Sequence, residues 1–173
     1  MQLANKKYFF LFYLLLSVCL YSCGAYSFSP ASINPDIKTI AVPLFGDRTG
    51  TGPANLSRRF TEKTRDYYQR NTKLSVVNTN GDLQLECYIV NYTFSPAAPT
   101  AANESASQMR LNITVEATYT NNKNPDENFE KKQFAFFADF PSDRQQSAEE
   151  PRLIEEISDQ IILQMFNQTV ANW

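Results

Sequence analysis

The stretch LNITVEATYT, residues 111–120, has the clearest two-residue alternation in this chain of 173 residues. Apolar side chains stand at Leu111, Ile113, Val115, Ala117 and Tyr119, and polar side chains stand between them. Because successive side chains of a strand point to opposite faces of a sheet, the pattern predicts a strand with one dry face and one wet face. The dry face needs a second layer of structure to cover it.

Other parts of the chain supply that layer and the rest of the sheet. Strand patterns occupy residues 37–45, 71–78, 83–94 and 129–140, and helical spacing of apolar residues occupies 53–70 and 148–170. The alternation in the third strand slips near Ile89, which predicts a β-bulge. Two helices should then cover one face of a mixed four- to five-stranded sheet, which predicts an α+β two-layer sandwich.

Two local features complete this prediction. Ser147 and Glu150 have the spacing of a capping box that would begin the second helix. Residues 95–107, rich in Ala, Ser, Pro and Asn, predict a loop between two strands.

The composition excludes several classes of enzyme. The chain has no histidine, so it lacks the usual general base at neutral pH and the commonest metal ligand. The acid pairs Glu149-Glu150 and Glu155-Glu156 are expected to face solvent on the second helix. We therefore expect a protein without catalytic activity, metal or cofactor, and a hydrolase is kept only as a formal alternative. A net charge of −2 gives no general attraction to nucleic acid.

The N-terminal residues predict export and lipidation. Two lysines precede an apolar run over residues 8–20, which is too short to span the ~30 Å core of a bilayer as a helix and fits a signal peptide. Leu20 and Ser22 before Cys23 resemble the bacterial lipobox. We predict a lipoprotein signal peptide over 1–22 and a lipidated tether over 23–36. A single α+β domain then spans 37–173.

Lipidation would place a diacylglycerol on the thiol of Cys23, with palmitate among the acyl chains. Several acyl chains make a stable anchor, whereas a single chain holds only marginally. Two alternatives remain open at this point. One is a plain secretory signal with a chance cysteine, and the other is an uncleaved anchor.

The first predicted helix carries a candidate anion-binding patch at Arg58, Arg59 and Lys63. Arginine forks match phosphate geometry, so the patch could hold an anionic lipid head group or a phosphorylated sugar. The alternative is an ordinary solvated helix face that Glu62 and Asp66 balance.

Four stretches resemble one family, the lipopolysaccharide-assembly lipoproteins (LptE-like). These are CGAYSF at 23–28, IKTIAVPLF at 37–45, GDLQL at 81–85 and the terminal amphipathic helix. The form of the first stretch is closest to members from Bacteroidota.

The resemblance implies a domain lodged in the lumen of an outer-membrane β-barrel, LptD. There it would help the barrel assemble, block leakage and pass lipopolysaccharide to the cell surface. Similar lipoproteins reach the surface through an acidic cluster after the lipidated cysteine. No such cluster follows Cys23, so the periplasmic side of the outer membrane is expected.

A second resemblance leaves another function open. The strand Ala-Val-Pro-Leu-Phe at 41–45, followed by Arg48-Thr49, is similar to the N-terminal domain of TolB-like and curli-secretion lipoproteins. In that alternative the protein is an envelope or secretion scaffold without a lipid ligand.

Overall fold

The structure, a computed structural model, describes residues 33–97 and 107–171. The predicted signal peptide, Cys23 and most of the predicted tether lie outside these residues, as does most of the predicted loop 95–107. The elements in chain order are β1 Thr39–Ala41, β2 Gly46–Asp47, α1 Leu56–Asn71, β3 Ser75–Val77, β4 Leu83–Pro96, β5 Gln108–Asn121, a 3-10 turn Pro125–Glu127, β6 Phe129–Pro141 and α2 Gln146–Thr169.

The strands form one mixed sheet in the order β3-β1-β4-β5-β6, and the two-residue β2 also pairs with β4. β1 runs parallel to both β3 and β4, while β4, β5 and β6 are antiparallel. Both helices pack on one face of this sheet, so the predicted α+β sandwich is confirmed. The sheet has six strands when β2 is counted.

The predicted first strand, 37–45, is shorter in the structure, where β1 covers only Thr39–Ala41 and β2 begins at Gly46. Pro43 has no N–H to give to a ladder, and the chain here binds α1 instead. The backbone N–H of Phe45 donates to Thr61 Oγ1 at 3.0 Å. The guanidinium of Arg65 donates to the carbonyl of Val42 from two nitrogens, at 2.9 and 2.6 Å.

The core lies between the helices and the sheet. The dry-face residues of β5 that the sequence singled out, from Leu111 to Tyr119, are at most 1% exposed. On β4 the pairing register shifts between Ile89 and Asn91, which confirms the predicted bulge. Within 33–97 and 107–171, neither helix has the length and apolar character to cross a bilayer.

The predicted capping box at the start of α2 is wrong. The helix begins at Gln146, its N-cap residue is Gln145, and no side chain caps it. Ser147 therefore lies inside the first turn of the helix rather than at its N-cap position. Glu149, in the first turn, binds two arginines: its carboxylate accepts hydrogen bonds from Arg144 at 2.8 Å and from Arg152 at 2.9 Å.

The turn that precedes β4 packs against β1 and hydrogen-bonds to the residues that begin it. Asn80 has a φ of +57°, and Gly81 then passes so close to the β1 backbone that an added Cβ would lie 2.5 Å from the nitrogen of Ala41. The Asp82 carboxylate accepts bonds from the N–H groups of Lys38 and Thr39, at 2.9 and 3.0 Å. These bonds lower the pKa of Asp82 below its ordinary value.

Candidate functional site

The three residues of the predicted anion-binding patch lie together on α1, but carboxylates of α2 form ion pairs with two of them. Lys63 Nζ lies 2.6 Å from Glu155 Oε1 and 2.9 Å from Asp159 Oδ1. Arg59 reaches the other Glu155 oxygen at 3.5 Å. Arg58 is 69% exposed and faces only a carboxylate one turn along its own helix, at 4.0 Å. Arg58 is therefore the most accessible cation of the patch.

All four acidic residues expected to face solvent on α2 have side-chain partners, since Glu150 accepts a hydrogen bond from Tyr92 and Glu156 binds Arg152 at 3.0 Å. Glu149 is 9% exposed, and its bonds to Arg144 and Arg152 lower the pKa of its carboxyl group. A bond from Lys63 likewise lowers the pKa of Glu155. The solvent-facing interpretation is thus wrong for Glu149, which is buried, whereas Glu155 is exposed as expected while it pairs with Lys63.

The face of the sheet opposite the helices carries the wet-side residues of β4, β5 and β6. Tyr88 on β4 stands beside Glu116 on β5. The Arg48 guanidinium lies 3.8 Å from the centre of the Tyr88 ring, and its Nη1 lies 2.9 Å from Glu116 Oε1. The ring itself rests on Gly46, where an added Cβ would lie 2.4 Å from it. Local sequence patterns could not predict this stack, because 68 residues separate Arg48 from Glu116.

A second stack of the same kind lies toward the other end of β5. Arg110 makes two parallel bonds to the carboxylate of Asp139, at 2.7 and 2.8 Å. Its guanidinium carbon lies 3.6 Å from the centre of the Phe137 ring. Phe137 nevertheless keeps 45% of its surface exposed. We call the face that holds the two stacks the open face.

The composition of the open face suits recognition rather than catalysis. Between the two stacks stand the half-buried polar side chains of Asn91, Asn112 and Thr114. Tyrosine, phenylalanine and arginine are the residue types enriched at protein interfaces. The one thiol among the described residues, Cys87, is buried on the opposite side, and burial raises its pKa, so it is a poor nucleophile.

The strand alternation could have located the open face, but it could not have located the stacks. Alternation assigns Tyr88, Glu116 and Arg110 to the wet side of their strands. Which side chains meet across strands depends on the register, and the bulge after Ile89 changes that register along β4.

Three solved lipoprotein structures are similar to this chain. A lipoprotein B from Nitrosomonas europaea is 14% identical with a TM-score of 0.50, over 78% of this chain and 83% of that one. A minor lipoprotein from Acinetobacter baumannii is 14% identical with a TM-score of 0.48, over 79% of this chain and 92% of that one. The rare lipoprotein B from Shewanella oneidensis is 13% identical with a TM-score of 0.46, over 76% of this chain and 90% of that one. The Nitrosomonas structure supports the fold assignment.

The family comparison covers most of the chain. No individual curated protein sequence matches it. A family model described as "LptE: Lipopolysaccharide-assembly" matches residues 37–169, which include every strand and both helices of the structure. The chain therefore belongs to the LptE family of lipopolysaccharide-assembly proteins.

Proposed function

We propose that this protein is an outer-membrane lipoprotein that pairs with an LptD-like β-barrel and helps deliver lipopolysaccharide to the cell surface. The observation that carries the proposal is the family match over residues 37–169. The composition agrees with a non-catalytic role, because the chain has no histidine. The matches reported above lend no support to the alternative of a TolB-like or curli-secretion scaffold.

The proposed anchor is a lipid on Cys23 that holds the protein on the periplasmic side of the outer membrane. The support is the signal-like run over 8–20 and the lipobox that ends at Cys23. Mass spectrometry of the native N-terminus tests this part alone, because an unacylated Cys23 would exclude the anchor and leave the family assignment in place.

The open face is the surface we propose for the barrel. It is half-exposed and rich in hydrogen-bonding groups, and two arginine–aromatic stacks hold its side chains in place. Such a wet, polar face with a few aromatic residues is typical of interfaces between separately folded proteins. Among the described residues, Phe137 is the most exposed large apolar side chain on this face.

Depletion of the protein in its host should lower both the amount of folded barrel and the lipopolysaccharide at the cell surface. Re-expression of the wild type should restore both, and Phe137→Ala should restore them only partly, because truncation removes the exposed ring from the interface. The measurement is barrel abundance by immunoblot together with surface lipopolysaccharide labelling.

The matched control is Leu163→Ala, which truncates an apolar residue that is 38% exposed on the helix side of the molecule. This variant should complement fully. If depletion leaves the barrel and the surface lipopolysaccharide unchanged, the proposed function is wrong. If both variants complement equally, the function stands and the open face is not its interface.

The patch at Arg58, Arg59 and Lys63 stays our proposal for the lipopolysaccharide phosphates, with Arg58 as its accessible member. Arg58→Ala should weaken lipopolysaccharide binding while it changes the free energy of unfolding by less than about 0.5 kcal/mol, as is usual at exposed positions. Lys63→Ala should cost about 1 kcal/mol, because it leaves Glu155 and Asp159 without their shared cation.

Both quantities are measured on the same two variants, by binding to immobilised lipopolysaccharide and by urea denaturation. Unchanged binding by Arg58→Ala would remove this residue from the proposed ligand contacts. A loss of stability in Arg58→Ala equal to that of Lys63→Ala would contradict the different roles assigned to them.

A further inference from the structure

Two cavities meet at the end of the domain where the described chain begins. The smaller one, of about 120 Å³, lies between Ile33 and the end of α2 at Thr169. The larger one, of about 420 Å³, lies between the first described residues and the segment that joins α1 to β3. We call the larger one the entry groove. Its apolar lining residues are Ile33, Pro35, Ile37 and Leu74.

A turn at the start of the described chain forms one wall of the entry groove. The N–H of Ile37 donates to the carbonyl of Asn34 at 2.9 Å. The N–H of Asp36 donates to the Asn34 side chain at 3.0 Å. A turn closed by these bonds reverses the chain direction between Asn34 and Ile37. Ile33 already packs against the core cluster, which places the start of the described chain on the groove wall.

The sequence just before Ile33 supplies aromatic side chains at the right distance. Tyr26 and Phe28 stand two positions apart in AYSFS, residues 25–29. Phe28 precedes Ile33 by five residues, so it can reach about 17 Å from it. A cavity of about 150 Å³ is enough to hold a benzene molecule, so the entry groove has room for both rings. Lys38, Thr72 and Lys73 also line it and offer polar partners to a tyrosine hydroxyl.

We propose that residues 25–29 fold back onto their own domain and that Tyr26 and Phe28 fill the entry groove. The docking does not depend on the proposed function. It does shorten the distance that a lipid anchor at Cys23 allows between the membrane and the domain. The ten residue-to-residue steps from Cys23 to Ile33 allow a separation of about 35 Å when the segment is undocked, whereas the three steps from Cys23 to Tyr26 allow about 10 Å. The domain would then lie against the membrane rather than stand away from it.

The test is a photoreactive benzoylphenylalanine in place of Phe28, in the full chain expressed in its host. Irradiation should attach residue 28 to peptides of the same chain that contain residues 33–38 or 72–74. A matched chain with the same probe at Ser27 should give much less of this product, since alternate residues of an extended segment point apart. Attachment of residue 28 mainly to lipid, to the barrel or to another protein would overturn the proposal, and so would equal attachment from both positions.

A second measurement does not rely on the probe. Tyr26→Ser with Phe28→Ser should raise the reactivity of Lys38 and Lys73 toward an amine-specific reagent severalfold, because the groove is no longer filled. Lys131, which does not line the groove, serves as the internal control and should react equally in both proteins. Equal reactivity of Lys38 and Lys73 in the wild type and the double variant would overturn the proposal.

Discussion

Gly81→Ala is expected to lower the free energy of unfolding by about 3 kcal/mol, at the upper end of what overpacking usually costs. An added Cβ would lie 2.5 Å from the Ala41 nitrogen and 2.6 Å from the Leu83 carbonyl oxygen. Both contacts are with backbone atoms of paired strands, so neither can move without breaking the β1–β4 pairing. Urea denaturation of both proteins measures the loss.

Gly50→Ala is the matched control for this glycine. Gly50 has a φ of +65°, but an added Cβ there would meet nothing within 4 Å. The substitution should therefore cost only the strain of a left-handed alanine, about 1 kcal/mol. Equal losses for the two variants would show that close backbone approach at Gly81 does not limit stability.

Element positions were largely predictable because one periodicity dominates each segment. The strand at 111–120 and the bulge near Ile89 follow from alternation alone, and the second helix was expected within two residues of its observed ends, Gln146–Thr169. The early end of the first strand at Ala41 was not predicted. It depends on bonds that the Phe45 N–H gives to Thr61 and that Arg65 gives to Val42, and both helix residues reach the strand only after folding.

The candidate sites were less predictable for a physical reason. Helical spacing correctly grouped Arg58, Arg59 and Lys63 on α1, but it could not show that Glu155, 92 residues after Lys63, pairs with two of them. The same limit applies to the arginine stacks of the open face. Periodicity assigns a side chain to a face, whereas its partner depends on how the elements pack and on strand register.

Ile113→Ala should lower the free energy of unfolding by about 3 kcal/mol, within the range for buried large-to-small substitutions. Ile113 lies on the dry face of β5 and is 0% exposed beneath the helices. Thr114, its neighbour on the open face, is half-buried. Thr114→Ala should cost less than about 1 kcal/mol, the span of strand propensities. Urea denaturation of both variants compares the two faces.

The comparison of these two positions also separates folding from function. Because Thr114→Ala keeps the core intact, any loss of barrel pairing in that variant reports on the open face itself. Ile113→Ala should reduce pairing only in proportion to the fraction of protein that unfolds. Similar losses of stability at the two positions would mean that both faces of β5 are packed in the folded protein. The open face would then already be covered by part of this chain, and the barrel would have to bind elsewhere.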